Sequence, residues 1–300
     1  MTCSPNATVF WLALSTLMPP SCVAATVATT PRADTRLVLV SARDPQGHVV
    51  SGLCSGGFRL FENGIEQTIL KCTAQSSLVS TAIVLDASGS MEPFMDGARV
   101  AIRELVRTAD PEDEFSLTLV RDNPKPEVIL SSERERMLDR VDRTVSGGLT
   151  ALWDAMYVAA QPLKIAEHSQ RAMLVVSDGG ENNSQDRPSE VLSLLRDQDI
   201  AVYAIGVHSG SSRTMAARLY DLQCLAKRTG GRYFDAYSAR DLPRIMGELD
   251  IRDQYVLAYA PSDLGSDGKY HRVRVELNRT GSRSRPNLSW RSAYAAPLSR

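Results

Sequence analysis

Three oxygen-bearing side chains follow an apolar run at residues 82–85. The stretch reads AIVLDASGS, which places Asp86, Ser88 and Ser90 at steps of two residues directly after that run. A buried strand that ends on a carboxylate and two hydroxyls suits a hard cation, because such ions prefer oxygen ligands. Taken alone, the same pattern is also typical of a turn or a helix cap.

Two other segments carry oxygen side chains at comparable places. Thr150 lies in the glycine-rich stretch SGGLT before a helical pattern, and Asp178 ends the apolar run AMLVVS. The carboxyl ends of parallel strands meet at one edge of a sheet, where ligands bind. The two carboxylates would only just balance the charge of a divalent ion, and the three hydroxyls are neutral, so the ion could accept one more anionic oxygen. We therefore predict a Mg²⁺ site, with Mn²⁺ or Ca²⁺ as alternatives.

Residues 78–250 alternate between apolar runs of strand length and amphipathic stretches of helix length. The strand-like runs are LVSTAIVLD, FSLTLV, AMLVVSD, IAVYAIGV and GRYFDA, and helical patterns lie between and after them. Such alternation is typical of a parallel sheet covered by helices on both faces. The predicted fold class is therefore α/β, a doubly wound and mostly parallel sheet.

The segments on either side of this domain, residues 33–75 and 251–297, show short strand patterns. In the first, FRLFE and IEQTIL are joined by Asn63-Gly64, the strongest short signal for a β-hairpin. In the second, QYVLAYA and YHRVRVEL flank Asp267-Gly268, which predicts another hairpin. We expect both segments to pair into one small accessory β module, into which the α/β domain is inserted.

The N-terminal segment predicts export. Residues 1–25 contain a short apolar stretch and the small residues Val23-Ala24-Ala25, as in a signal peptide and its cleavage site. The expected location is outside the cell, in the periplasm or at the cell envelope, with lipid anchoring at Cys22 left open. Cys54 and Cys72 flank the first predicted hairpin and could form a disulfide there.

Bulk composition excludes several functions. The chain has a formal net charge of −1, which argues against binding to nucleic acid or to an anionic membrane surface. With 43% hydrophobic and 23% charged residues, it has the composition of a globular protein. We predict no membrane span in the mature chain, because no apolar run reaches the roughly 20 residues that a bilayer requires.

The five oxygen ligands together resemble the metal-ion-dependent adhesion site of von Willebrand factor type A domains. Asp86, Ser88 and Ser90 match its Asp-x-Ser-x-Ser signature, and Thr150 and Asp178 match its distant Thr and Asp. The chain also resembles the von Willebrand factor A-related proteins abundant in acidobacteria, through FENGIEQTIL, GGLTALWDA, SDGGENNS, RTGGRYFDA and DQYVLAYAPSDLGSDGKYHRVRVEL.

This resemblance implies that the five residues coordinate the metal directly or through water. It also implies that a Glu or Asp of a partner protein completes the shell, so that the chain is a binding protein and not an enzyme. The loop after Asp178 departs from the family pattern, because Gly180-Glu181 stands where a Gly or Glu followed by Asp is expected. Glu181 and Asn182 are candidates for contacts that support the metal ligands, but we expect both to lie in a solvated loop.

Two alternatives remain open. A phosphohydrolase of the haloacid dehalogenase type also uses a strand-end Asp and Mg²⁺, but it needs a second Asp two residues on, where this chain has Ser88. The other alternative is a structural module whose cation only ties loops together. The residues after Ser90, Pro93 to Met95, could form an apolar collar for a partner or a buried first helical turn. The four histidines are expected to face solvent, with a place at the ligand-bearing edge of the sheet left open for His208, which follows a strand.

Overall fold

The structure, a computed structural model, describes residues 35–44, 50–76, 78–208, 213–249, 251, 253–262, 270–278, 286–290 and 293–295. The predicted signal peptide, His48 and the predicted turn at Asp267-Gly268 lie outside these residues. Within them, none of the helices combines the length and the apolar character that crossing a bilayer requires.

The described residues form fourteen strands, six α-helices and one 3-10 helix. The strands are β1 (Arg36–Arg43), β2 (Phe58–Glu62), β3 (Ile65–Gln67), β4 (Ile69–Ser76), β5 (Val79–Asp86), β6 (Glu114–Val120), β7 (Pro126–Ser131), β8 (Gln170–Ser177), β9 (Ile200–Val207), β10 (Tyr233–Ala236), β11 (Asp253–Tyr259), β12 (Tyr270–Leu277), β13 (Asn287–Trp290) and β14 (Ala293–Ala295). The helices are the 3-10 helix (Gly89–Phe94), α1 (Met95–Thr108), α2 (Arg134–Asp142), α3 (Leu152–Leu163), α4 (Pro188–Asp197), α5 (Arg213–Thr229) and α6 (Asp241–Glu248).

The central sheet has the strand order β10-β9-β8-β5-β6-β7, and all neighbours except β6 and β7 run parallel. Helices α1, α2 and α6 pack on one face, and α3, α4 and α5 pack on the other. Strand β5 is buried along its whole length because helices cover both of its faces. The predicted doubly wound, mostly parallel α/β fold is confirmed.

Strand β7 is an element that the sequence analysis missed. It pairs antiparallel with β6 at the edge of the sheet, and its register is irregular. It begins with Pro126, and Val128 is its one fully buried residue. Its apolar run, Val128 to Leu130, is only three residues long and follows a proline, so the pattern is easily taken for a loop.

The N- and C-terminal segments form two four-stranded sheets, in the orders β13-β1-β11-β4 and β14-β12-β2-β3. The sheets share one apolar core, in which the rings of Phe58 and Tyr255 lie 5.0 Å apart. The accessory β module from both segments is therefore confirmed. So is the hairpin of β2 and β3, whose turn residues Asn63 and Gly64 have φ of 49° and 87°, as a two-residue turn requires.

The predicted C-terminal hairpin is wrong. Strand β11 pairs with β1 on one side and β4 on the other, whereas β12 pairs with β2 and β14 in the second sheet. Both edges of β11 are thus occupied by strands from the N-terminal segment. The apolar residues of β11 and β12 meet across the shared core instead of side by side in one sheet.

The chain leaves the β module through β4 and returns to it through β11, and these two strands are paired, with Ser76 opposite Asp253. The α/β domain is thus an insertion between neighbouring strands. Cys54, which lies four residues before β2, forms a disulfide with Cys72 of β4. The limits 33–75, 78–250 and 251–297 of the three segments stay predictions.

Candidate metal centre

Asp86 is the last residue of β5, in the middle of the central sheet, and its side chain is fully buried. Its Oδ1 accepts a hydrogen bond from the backbone N–H of Ser88 (2.9 Å), and its Oδ2 accepts one from the hydroxyl of Ser177 (2.6 Å). The Ser177 hydroxyl in turn accepts the N–H of Gly179 at 3.0 Å. The carboxylate is therefore held in one orientation at the carboxyl edge of the sheet.

The electrostatic surroundings of Asp86 disfavour its charge. Burial raises the pKa of its carboxyl from 3.8 to about 6; hydrogen bonds from Ser177 and Ser88 oppose the increase, and the negative charge of Asp178 adds to it. No lysine or arginine of the described residues takes part in this balance. A bound cation would offset the cost of burying this carboxylate.

Ser88 and Ser90 bring two hydroxyls together just beyond Asp86. Their oxygens lie 3.2 Å apart, at the start of the 3-10 helix. Ser88 is buried beside the carboxylate, whereas Ser90 is exposed. The oxygen side chains at this spacing therefore extend from the buried Asp86 and Ser88 to the exposed Ser90.

Thr150 and Asp178 approach the same edge from two loops, and both are nearly buried. They lie on either side of Gly180: a Cβ added there would be 2.9 Å from Asp178 Oδ1 and 3.6 Å from Thr150 Oγ1. Asn182 ties the two loops together, because its N–H donates to the Thr150 carbonyl (3.1 Å) and its Oδ1 accepts the Thr150 N–H (3.0 Å).

A further backbone contact joins the Thr150 loop to the end of β5. The N–H of Gly147 donates to the carbonyl of Ala87 at 2.7 Å, and Gly147 has a φ of 149°, in the region that favours glycine. The loops that carry the five predicted ligands are therefore connected to one another by hydrogen bonds. They form one continuous polar edge above β5 and β8.

Glu181 has a structural role that the sequence analysis did not predict. Helix α3 begins after Ala151, which has no side chain able to cap it. Oε2 of Glu181 accepts the N–H groups of Leu152 (2.9 Å) and Trp153 (3.4 Å), and Oε1 accepts that of Ser184 (2.8 Å). The expected solvated loop residue is thus the cap of the helix that follows Thr150. No local signal in the sequence indicates this role, because Thr150, one position before Ala151, is itself a residue type that caps helices.

The apolar surface beside the site also differs from expectation. Phe94 and Met95 are buried where α1 begins and cannot form a collar, whereas Pro93 is exposed. Val145 and Leu149, in the loop before Thr150, are 64% and 49% exposed. Exposed apolar residues do flank the site, but they come from a loop that the sequence analysis did not single out.

The histidines are distributed between surface and interior. Nε2 of His168 lies 2.8 Å from the carbonyl oxygen of Glu112 at the surface. His271 is buried in the β module, and its Nδ1 lies 2.6 Å from Oε1 of Glu62, so the expected exposure to solvent is wrong for this residue. Its place in β12 explains this, because side chains two residues apart lie on the same face of a strand, and His271 shares its face with the buried Val273 and Val275.

The donor set suits a hard divalent cation. No group of three or more His, Cys, Asp or Glu side chains in the described residues could hold a metal ion. The candidate centre instead combines two carboxylates, Asp86 and Asp178, with the hydroxyls of Ser88, Ser90 and Thr150. Oxygen donors with two negative charges fit Mg²⁺, Mn²⁺ or Ca²⁺ better than a soft metal.

Comparisons with solved structures found the same fold at low sequence identity. The von Willebrand factor type A protein from Catenulispora acidiphila is 10% identical; the match covers 90% of this chain and 75% of that one, with a TM-score of 0.52. Proximal thread matrix protein 1 from the mussel byssus is 20% identical, with 63% and 50% covered and a TM-score of 0.52. The same mussel protein with zinc in its metal-ion-dependent adhesion site (MIDAS) motif matches at 20% identity. The match covers 62% of this chain and 48% of that one, with a TM-score of 0.51.

Such identities show the fold alone, and a comparison with curated proteins found no match. The family model of the von Willebrand factor type A domain matches residues 82–248, which is more than half of the 300 residues. This range runs from β5, which carries Asp86, to the end of α6. The chain belongs to the von Willebrand factor type A domain family.

Proposed function

We propose that this protein uses a Mg²⁺ ion, held by Asp86, Ser88, Ser90, Thr150 and Asp178, to bind an acidic side chain of a partner protein. The ion would supply a positive centre that can accept one carboxylate oxygen from outside the chain. The residues of this chain hold their oxygens in place before any partner arrives. The proposal includes no catalytic step.

The observation that carries the proposal is the environment of Asp86. Its carboxylate is fully buried, receives only neutral hydrogen-bond donors from the described residues, and shares its surroundings with the charge of Asp178. Two carboxylates in one buried region are unfavourable without a cation between or beside them. A divalent ion would offset both charges at once.

Exposure of the outer oxygens favours an external ligand over a purely stabilising cation. Gly89 and Ser90 are exposed at the outer end of the oxygen set, and the exposed Val145 and Leu149 flank it. A partner could therefore reach the centre and bury apolar surface beside it. A cation that only tied loops together would not need this opening.

We also propose that the protein acts outside the cytoplasm. The disulfide between Cys54 and Cys72 fits an oxidising compartment, in agreement with the predicted signal peptide. The mussel protein with zinc in its MIDAS motif supports a divalent ion at this place in the fold.

Metal binding is tested by thermal unfolding in Mg²⁺, Mn²⁺, Ca²⁺ or EDTA. An ion at 100 times its dissociation constant should stabilise the wild type by about 2.7 kcal/mol, or about a few degrees. Asp86→Asn should lose this shift, because it removes one of the two charges. Asp139→Asn, which removes an exposed charge on α2, should keep it. Equal shifts in wild type and Asp86→Asn would contradict the proposed centre.

Partner recognition is tested with bead-coupled peptides that carry a single Glu or a single Gln in a Gly-Ser background. Wild-type protein should be retained by the Glu peptides in Mg²⁺ and released by EDTA. The Gln peptides should retain little protein under either condition, because an amide carries no negative charge. Equal retention by Glu and Gln peptides would contradict recognition of a carboxylate.

A further inference from the structure

An exposed tyrosine stands in a fixed position on the same edge of the sheet as the candidate metal centre. Tyr237 follows β10, and 68% of it is exposed to solvent. The backbone N–H groups of Tyr237 and Ser238 both donate to Oδ2 of Asp241 at 2.9 Å. Its ring stacks on that of His208, with centroids 4.3 Å apart and an interplanar angle of 19°. Tyrosine is one of the residue types enriched among those that dominate the binding energy of protein interfaces.

The support beneath this ring is a chain of hydrogen bonds. Nε2 of His208 donates to Oδ1 of Asp235 (2.7 Å), since a carboxylate can only accept, and the hydroxyl of Tyr233 donates to the same oxygen (3.0 Å). Gly206 leaves space for this arrangement, because a Cβ there would overlap the Tyr233 hydroxyl. The imidazole is thus fixed from one side and supports the Tyr237 ring on the other.

Strand register places this group near the metal centre. Ser177 of β8 is opposite Gly206 of β9, and Gly206 is opposite Asp235 of β10. Neighbouring strands lie about 4.8 Å apart, so β10 is about 10 Å from β8, after which Asp178 comes. Tyr237 therefore flanks the proposed metal centre on the side opposite to strand β6.

The chemistry of this group suits a cation. The side chain of Asp235 is 45% exposed, and its partners in the described residues are His208 and Tyr233, with no lysine or arginine among them. One face of the Tyr237 ring is covered by His208, and the ring remains largely exposed. An exposed carboxylate beside an exposed aromatic face attracts an ammonium or guanidinium group through charge and through the ring.

We propose that Tyr237 and Asp235 bind a lysine or arginine of the same partner protein whose carboxylate binds the metal centre. This inference rests on the proposed function, because it deepens the specificity of that site. An extended segment advances about 3.3 Å per residue, and the centre lies about 10 Å (Asp178) to about 14 Å (Asp86 of β5) from β10, so the basic residue would stand three or four positions from the acidic one. The partner thus presents an acidic and a basic side chain together.

The test extends the bead-coupled Gly-Ser peptides that carry one Glu by placing Lys or Gln three or four positions away on either side. Retention in Mg²⁺ should be about fivefold to tenfold greater for at least one Glu-Lys spacing than for the matching Glu-Gln peptide. Tyr237→Ala and Asp235→Asn should remove this preference and keep the retention of the Glu-Gln peptide. Tyr237→Phe should keep it, because the aromatic face remains.

Two controls match these variants elsewhere on the domain. Tyr220→Ala removes another exposed tyrosine, on α5, and Asp221→Asn removes a neighbouring negative charge. Both should retain the full preference for Lys. Loss of the preference in Asp221→Asn would attribute it to net charge and would overturn the inference.

The outcomes separate this inference from the function on which it rests. Equal retention of Glu-Lys and Glu-Gln peptides, with EDTA still releasing both, would overturn the inference and leave the metal-dependent recognition standing. Failure of every Glu peptide to bind in Mg²⁺ would overturn the proposed function, and the inference with it. A preference for Lys that survives in both Tyr237→Ala and Asp235→Asn would place the basic contact elsewhere and overturn the assignment.

Discussion

Asp86 is a buried carboxylate whose donors, a backbone N–H and a serine hydroxyl, supply no full positive charge. The sequence pattern identified it correctly as a strand-end residue, because an apolar run followed by spaced oxygen side chains is a local feature. Its side chain is fully buried and not at the surface of the site, so a substitution there also affects buried hydrogen bonds. An alanine there would leave the Ser88 N–H and the Ser177 hydroxyl without their acceptor, so Asp86→Asn is the sharper variant.

Without metal, the unfolding free energy should fall as the pH rises from about 4 to about 6. The carboxyl of Asp86 has a pKa near 3.8 when exposed and about 6 in the fold, so between these values the folded state keeps a proton that the unfolded state has lost. The stability that this proton contributes is complete below pH 3.8 and is lost as the pH passes through 6. The total is about 3 kcal/mol.

Urea denaturation in EDTA at several pH values measures this effect. The unfolding free energy of wild type minus that of Asp86→Asn isolates the contribution of one carboxyl from those of the other acidic groups. This difference should fall with increasing pH. A difference that stays constant between pH 4 and 7 would show that Asp86 is ionised in the fold throughout.

Glu181→Ala should lower the unfolding free energy by about 1–2 kcal/mol, because helix α3 loses the acceptor of its first N–H groups. It should also weaken Mg²⁺ binding about tenfold or more, since the same loop carries Asp178 and contacts Thr150. Denaturation and metal titration measure the two effects. Glu133→Ala is the control, because Glu133 begins α2 without making a capping bond. Equal losses in the two variants would contradict the capping role.

The residues that sequence reasoning missed depend on distant parts of the chain. Glu181 acts on a helix that begins 29 residues earlier, and Tyr237 acquires its role through His208 on a neighbouring strand. Neither shows a local pattern that differs from an ordinary loop. His271 is the exception, since the alternation in β12 assigns it to the buried face.

At the level of elements, the contact of α1 with α6 depends on a glycine. A Cβ added at Gly97 of α1 would overlap the carbonyl of Ala239, just before α6. Gly97→Ala should therefore destabilise the protein by about 1–3 kcal/mol, although alanine favours helices more than glycine does. Chemical denaturation measures the change.

Gly247 of α6 is the matched control for this prediction. Apart from its chain neighbours and the backbone of its own helix, no atom of the described residues lies within 4 Å of a Cβ built there, and the residue is exposed. Gly247→Ala should stabilise the protein by about 0.5–1 kcal/mol through helix propensity alone. Two substitutions of the same type should thus have opposite signs, and a stabilising Gly97→Ala would show that the helices can separate at no cost.

Helices and strands with a strong periodicity of apolar residues could be predicted from the sequence. The pairing of strands that are distant in the chain could not. The buried β5 and the amphipathic helices follow from their own residues. The hairpin of β2 and β3 follows from Asn63-Gly64, whereas the equivalent signal between β11 and β12 was misleading. Strand β11 instead lies between β1 and β4, and a partner so distant in the chain leaves no mark on the local sequence.

For the molecule as a whole, the disulfide strengthens the β module. It closes a loop with a sequence separation of 18 residues, so its removal should cost about 3 kcal/mol. The Cys54→Ala/Cys72→Ala variant should unfold earlier in thermal scans than wild type. Its Mg²⁺-induced shift should persist in the transition of the α/β domain, because neither cysteine belongs to that domain. A lost metal response would show that the two parts depend on each other.

The insertion of the α/β domain between the paired strands β4 and β11 determines the order of assembly. Ser76 can meet Asp253 only after residues 77–252 have brought their ends together, and an unstructured segment of that length closes slowly and at an entropic cost. Folding of the inserted domain removes this cost. The domain should therefore fold first, and the β module should close onto it as a later kinetic phase.

Two tryptophans can report these phases separately. Trp153 is buried in α3, and Trp290 of β13 donates its Nε1–H to the carbonyl of Val273 in the β module. In stopped-flow refolding, a Trp290→Phe variant should show the fast phase and a Trp153→Phe variant the slow one. Newly made chains would then expose the unpaired strand edges of the β module until the α/β domain has folded. The folded α/β domain would hold β4 and β11 close enough to pair, so the β module would form last.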